Sequence, residues 1–256
     1  MDAAELDLLT ETLRKTMSTA TGPALDAALT DLGWPELLAE DPEVAIPLVF
    51  RLLGETGAHA PLINDVVSGS PGGVLPLPFA GGCWVVWERA AGSGSGLDPD
   101  LPLSRVSSGA PVALAAGRRA LGWWLVGASR AMLALARSHA LDRAQFGRPI
   151  AGFQAVRHRL AETLVAVEGA SATLVAASDD LGSLLAKAAA GQAALTAARH
   201  CQQVLGGIGF TAEHDLHHHV RRVMVLDSLL GSSRELTREA GAVVREQRSA
   251  PRLVQL

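Results

Sequence analysis

A chain of 256 residues with 48% hydrophobic side chains carries enough apolar material for a sizeable core, in one or two domains. Its 22 basic and 26 acidic residues are interspersed and leave a net charge of −4, which excludes a general nucleic-acid binder. The longest apolar stretch, Ala120 to Ala128, is too short to span a bilayer, so no membrane association is expected. The acidic start Met1–Glu5 lacks the basic-then-apolar order of a signal peptide, and a cytoplasmic location is expected. Cys83 and Cys201 stand far apart without metal-ligand spacing and read as buried free thiols.

Residues 1–66 form a predicted N-terminal helical region. Leu6, Leu8, Leu9 and Leu13 recur near helical spacing, and Pro35 suits the first position of a helix after Gly33-Trp34. Val44 to Leu53 is a further apolar segment, ended near Gly54 and Gly57.

The pattern changes over residues 67–112, a short β and linker region. Turn residues Ser70-Pro71-Gly72-Gly73 precede Val74–Pro78, and Cys83–Trp87 suits a strand. Gly92-Ser93-Gly94-Ser95-Gly96 reads as a turn or linker. Two or three short strands fit in this space, not a free-standing β domain.

Residues 113–256 are predicted as a C-terminal antiparallel four-helix bundle. Ala113 to Leu141 is apolar over most of its surface and should be a buried helix. Ala151 to Ser178 carries a single stripe, Phe153, Val156, Leu160, Leu164, Val167 and Leu174. Gly182-Ser183 marks a break before a third helix through Leu184, Ala188, Leu195 and Ala198, which Gly206, Gly207 and Gly209 end. A fourth helical segment starts near Leu216, is interrupted at Gly231, and restarts in the capping-box pattern Ser232-Ser233-Arg234-Glu235.

Two motifs carry chemistry. In Asp142-Arg143-Ala144-Gln145-Phe146-Gly147-Arg148-Pro149-Ile150, an arginine at a helix end can fork onto two oxygens of a diphosphate. Phe146 offers a flat apolar face beside a nucleoside, and Gln154, eleven residues after Arg143, can give and take hydrogen bonds at an adenine edge or sugar. Read alone, the motif is better explained by Arg143 pairing with a surface carboxylate and Phe146 capping the bundle. In Gln203-Val204-Leu205-Gly206-Gly207-Ile208-Gly209-Phe210, the paired glycines let a backbone approach a ligand closely, or simply stop a helix.

In combination these residues resemble the acyl-CoA dehydrogenase family along about residues 113–248. The resemblance implies a mainly α fold with N-terminal helices, a strongly reduced β segment and a C-terminal four-helix bundle. It implies FAD as cofactor and an acyl-CoA as substrate. Arg143, Phe146, Gln154, Gln203, Gly206 and Gly207 would then contact the ADP portion of a flavin shared across a subunit interface along the same helices.

Two departures qualify the resemblance. The family's middle β domain of roughly a hundred residues is reduced to about forty. The family also needs a carboxylate to remove the acyl α-proton. Its usual Glu position falls on Leu230, before Gly231, and its alternative position on Gly117, beside Arg118 and Arg119. Neither residue accepts a proton, and Asp227 and Glu235 are the candidate displaced carboxylates. The expectation is therefore a base-lacking subunit in an α2β2 heterotetramer with a full-length acyl-CoA dehydrogenase partner, similar to actinobacterial enzymes acting on steroid-derived CoA thioesters. The alternative is a non-enzymatic scaffold or regulator that binds no flavin. His214, His217, His218 and His219 suggest a metal cluster, but a polar helix start accounts for them better.

Overall fold

The computed structural model describes residues 2–249 except 91, 93 and 95, so Ser93 and Ser95 of the expected linker and residues 250–256 of the last region lie outside the described residues. The first helix, α1 (Ala3–Thr19), runs 17 residues, longer than the short helices expected here, and a capping box opens it. The Asp2 carboxylate accepts the Glu5 N–H, and Glu5 accepts the Asp2 N–H. Next come α2 (Gly22–Asp31), α3 (Trp34–Glu40), α4 (Pro42–Thr56) and α5 (Ile63–Ser68). Pro35 is the second residue of α3 rather than its first, since Gly33 occupies the cap with φ +84°.

The long helix α6 (Ala115–Asp142) runs 28 residues through the centre. It crosses α4 backbone against backbone. A Cβ at Gly54 would lie 2.3 Å from the Trp124 carbonyl oxygen, and one at Gly127 2.1 Å from the Arg51 carbonyl oxygen. Only glycine permits that approach, and it brings Phe50 edge-on to Trp124 at 5.8 Å. Trp124 in turn stacks on Trp87 of the sheet, so the N-terminal helices, the sheet and the bundle share a single core.

The sheet is three antiparallel strands in sequence order, β1 (Pro76–Phe79), β2 (Cys83–Trp87) and β3 (Leu103–Val106). The second falls on the expected residues; the first starts two residues late, at Pro76. Leu77, Val85 and Trp87 are buried, and Pro76 and Pro78 suit β1 as an edge strand. That edge is covered by the chain following the ninth helix, where the Leu230 N–H donates to the Pro78 carbonyl at 2.8 Å. Cys83 is only half-buried, whereas Cys201 is buried as expected and its thiol is pushed up to about 12 by that burial.

The bundle continues with α7 (Gln154–Ala176), α8 (Asp180–Leu205), α9 (Leu216–Ser228) and α10 (Ser233–Gln247). The break before α8 precedes Gly182. Asp179 caps the helix by accepting the Gly182 N–H, which places Gly182 and Ser183 inside the first turn. On α7, Val167 and Leu174 are buried, but Leu164 is 48% exposed because its stripe drifts off the contact with α8. The fourth position of the bundle is split. α9 packs on α6 and α8, and α10 packs on α8 through Leu184, Leu236 and Ala240. The Ser232–Glu235 capping box forms as read. None of the described helices is long and apolar enough to cross a membrane.

Candidate functional site

The Arg143 motif folds into a feature that its sequence does not announce, a hairpin of two-residue strands β4 (Ala144–Gln145) and β5 (Arg148–Pro149). Its two loop residues, Phe146 (φ +55°) and Gly147 (φ +78°), both have positive φ, as a type I′ turn requires. Glycine takes that conformation freely, whereas a left-handed Phe costs about 1–2 kcal/mol. Phe146 is nonetheless 92% exposed. Behind it, Phe153 meets its edge at 6.0 Å and carries the Arg148 guanidinium 4.4 Å over its ring. Arg143, at the C-cap of α6, is exposed, and its side chain makes no hydrogen bond or ion pair among the described residues.

Gln154 opens α7 on the solvent side, with His158 as its side-chain neighbour at 3.4 Å. Gln203 lines a groove of about 530 Å³ between α7 and α8, together with Ala155 and Val156, one helical step from Gln154. At the end of α8, Gly206 has φ +67°, and a Cβ at either Gly206 or Gly207 would meet nothing within 4 Å. Packing within the chain therefore does not demand a glycine at 207, and the space beside it is open to a ligand. Thus Gln203 and the start of α7 share one groove, whereas Arg143, at the end of α6, and Phe146, on the hairpin, do not line it. The six residues do not close around a common cavity within one chain.

The two positions to which the sequence resemblance assigns the family's Glu meet each other. Gly117, near the start of α6, faces the Leu230 side chain, and a Cβ there would sit 2.8 Å from Leu230 Cδ1 and 2.6 Å from Val67 Cγ2. Leu230 is fully buried and left-handed, with φ +58°. Val67 and Leu230 thus fill the corner with aliphatic side chains where a proton acceptor would stand. The displaced carboxylates are engaged elsewhere. Asp227 is buried and accepts both the Ser233 N–H and hydroxyl. Glu235 accepts the N–H groups of Gly81 and Ser232, and these bonds hold its carboxyl down at about 2, unsuited to proton abstraction.

Sequence reasoning missed Lys187, fully buried on α8, whose ammonium donates to the carbonyls of Asp227 and Gly231 on either side of the Leu230 turn. Burial, more than any charge, lowers its pKa to about 7. The histidines of α9 serve local structure. His214 Nδ1 accepts the Leu216 N–H, and burial, then the Arg222 charge, lower His219 to about 4. No group of three metal-ligating side chains comes together among the described residues.

The residues present fit only one end of a flavin dinucleotide. Exposed donors and an open glycine suit the nucleotide end, while the filled Gly117–Leu230 corner and a three-stranded sheet do not suit the ring and thioester. Comparison with known proteins agrees with the fold. Residues 110–242, just over half of the chain, match the acyl-CoA dehydrogenase C-terminal domain. The Mycobacterium tuberculosis acyl-CoA dehydrogenase FadE34 is 35% identical over 216 residues, covering 75% of this chain and 30% of that protein. The chain spans about a third of the length of the curated relatives it matches. Among solved structures, the ChsE4-ChsE5 complex from Mycobacterium tuberculosis superposes with a TM-score of 0.73 at 18% identity, covering 98% of this chain and 100% of that one. The Tcur3481-Tcur3483 steroid ACAD superposes with a TM-score of 0.73 at 17% identity, covering 97% and 99%. With these matches laid over the bundle and the two motifs, the chain belongs to the acyl-CoA dehydrogenase family.

Proposed function

We propose that this chain is the base-lacking subunit of a heteromeric FAD-dependent acyl-CoA dehydrogenase. It supplies ADP-side contacts to a flavin shared with a full-length partner, in an α2β2 heterotetramer that desaturates an acyl-CoA, of steroid side-chain or ring origin. The observation that carries this reading is the aliphatic filling of both Glu positions in a chain that keeps its nucleotide-facing residues exposed. The similarity to ChsE4-ChsE5, a complex, and to a steroid ACAD supports the heteromer and the substrate class.

In this reading the Arg143 guanidinium forks onto the diphosphate oxygens and offsets their charge. Phe146 covers the nucleoside face, and Gln154 and Gln203 bond its polar edges. Gly206 and Gly207 keep the approach clear of side chains. Held by these residues together with the partner, FAD would supply a hydride acceptor for the β-carbon of the acyl group. The α-proton must go to a carboxylate of the partner, because Leu230 and Gly117 offer no lone pair at that corner. A non-enzymatic scaffold, the competing reading, has no use for a solvent-facing Phe146 held in a costly conformation.

Co-expression tests the division of labour. The chain alone should purify colourless, and with its partner it should give a yellow complex active on an acyl-CoA. Arg143→Ala should weaken flavin retention by the complex by about 1.5–3 kcal/mol, the value of a charge-assisted bond. A yellow, dehydrogenating single chain would overturn the assignment.

A further inference from the structure

We propose that the cavity between the sheet, α9 and residues 97–101 is a binding site for an apolar acid, a hydrocarbon body ending in a single negative charge that Arg105 holds. The site shares no residue with the nucleotide contacts proposed above, so either can fail without the other.

The register of the sheet sets the site. Val85 pairs with Leu77 on one side and with Arg105 on the other, and Trp87 pairs with Leu103. Paired residues share a face and successive residues alternate, so these five side chains stand on one face. Leu77, Val85 and Trp87 are buried, which makes it the inner face. Arg105 is thus the charged member of an otherwise apolar row. It is exposed, and its side chain makes no hydrogen bond or ion pair among the described residues.

Beside this face lies a cavity of about 620 Å³, within the range of small-ligand sites. Phe79, Val85 and Leu103 line it from the sheet, Met224 from α9, and Leu97 and Leu101 from the segment before β3. Leu97 is 53% exposed and Met224 46%, so the cavity leaves apolar surface in water that an apolar ligand would cover.

The other two polar side chains on the wall are engaged within the chain. The Ser228 hydroxyl donates to the Met224 carbonyl at 3.1 Å. Asp98 is buried against Arg222 and also accepts the Asp100 N–H at 3.2 Å. Arg222, itself buried, further donates to the Gly57 and Ala58 carbonyls at 3.2 and 3.3 Å. The ion pair therefore ties residues 97–101 to α9 and to the end of α4, and the Asp98 charge is offset by its own partner.

An apolar wall with one unpaired cation selects the ligand. A neutral hydrocarbon leaves the guanidinium unused, and a sugar or nucleoside would bury polar groups without partners. A polyphosphate needs more than one cation. A carboxylate forks onto a single guanidinium while its hydrocarbon fills the remaining space. An inward charge on an edge strand such as β3 also discourages pairing between sheets, a role that needs no ligand and that probe binding tells apart.

Fluorescence titration of the full chain tests the site with two probes that differ by one charge. Anilinonaphthalene sulfonate should bind saturably. Phenylnaphthylamine, the same ring system without the sulfonate, should bind about tenfold more weakly, the effect of losing one charge-assisted bond. Arg105→Gln should weaken the sulfonate about tenfold and the neutral probe less than about twofold. Arg105 is exposed, so folding should survive. Arg245→Gln, at an exposed arginine of α10 outside the cavity, should change neither probe by more than about twofold. Ser228→Phe fills the cavity from α9 and should abolish binding of both probes; if it does not fold, Arg105→Gln decides alone. Decanoate should displace the sulfonate probe, and decanol should do so about tenfold less well. Absent saturable binding, equal affinity of the two probes, or an Arg105→Gln variant no weaker than Arg245→Gln would remove the site. Displacement by decanoyl-CoA but not by decanoate would put a polyanion in place of the single charge and overturn the assignment.

Discussion

The Gly117–Leu230 corner and the Arg143–Phe146 hairpin lie in one chain and have opposite characters. At the first, aliphatic side chains interlock so tightly that a single added methyl carbon would sit 2.8 Å from Leu230. At the second, a phenyl ring stands in water on a left-handed backbone, and an arginine lacks any partner among the described residues. Both hold a non-glycine residue at positive φ, Leu230 at +58° and Phe146 at +55°. At Leu230 the burial of a whole aliphatic side chain, worth about 1.5–3 kcal/mol, offsets the strain. At Phe146, 92% exposed, the edge contact with Phe153 is the one aromatic contact among the described residues to set against it. Closed packing leaves no room for a proton acceptor at the corner, whereas the hairpin holds a ring and an arginine out in solvent.

The largest effect should come from forcing the closed corner to act like an active site. Leu230→Glu places a carboxylate among the aliphatic contacts of Val67 and Gly117, and should cost ~4 kcal/mol or more of folding stability. Chemical denaturation of the full chain measures it. A variant as stable as the parent would mean that the corner opens to water, and the contrast drawn above would fail.

A smaller loss should follow from removing the strut beneath that corner. Lys187→Met leaves the Asp227 and Gly231 carbonyls without their donor and should cost about 2–4 kcal/mol near neutral pH. The pH dependence has a definite sign. The folded pKa, about 7, lies below the ordinary value of 10.5, so between these the unfolded chain binds a proton that the folded chain does not. Stability should therefore rise as pH increases from about 7 to 10.5 in the parent protein and lose that slope in Lys187→Met. A parent protein with a flat profile across this window would show that the ammonium stays charged in the core.

These two regions also show how far the sequence could be read. The apolar helix around Trp124, the Cys83–Trp87 strand and the Ser232–Glu235 capping box rest on local signals; the last two are found on their expected residues, and the helix starts two residues late, at Ala115. Two of the three strands were evident from their turn residues and apolar runs, whereas the third, β3, was not read. The start of α8 was misplaced because Asp179, an ordinary cap residue, was outweighed by the more conspicuous Gly182. The 144–149 hairpin escaped notice because two-residue strands have no periodicity. Leu230 and Gly117 were known to lack a carboxylate, but their mutual contact joins residues 113 positions apart, and sequence carries no signal for it. The same holds for Arg159 and His200, 41 positions apart on neighbouring helices, and for buried Arg222 pairing with buried Asp98 across 124. Local signals gave the elements, and contacts between distant residues made the sites.

The smallest effect, and the one with opposite sign, belongs to the exposed hairpin. Phe146→Asn creates an Asn-Gly pair, the favoured pair for a two-residue turn with both φ positive, because a short polar side chain tolerates the left-handed region. The lost ring contributes little packing at 92% exposure, and its edge contact with Phe153 is with a partner still held by Arg148. The isolated chain should therefore gain about 0.5 kcal/mol, part of the strain released at that residue. If the phenyl exists to meet a nucleoside across a subunit boundary, the same substitution should lower flavin retention by the complex. A gain in the chain's denaturation midpoint, together with a loss of flavin absorbance in the complex, would separate function from stability at one residue. A loss of chain stability would show instead that Phe146 is held by its own protein, and the hairpin would no longer differ in kind from the Leu230 corner.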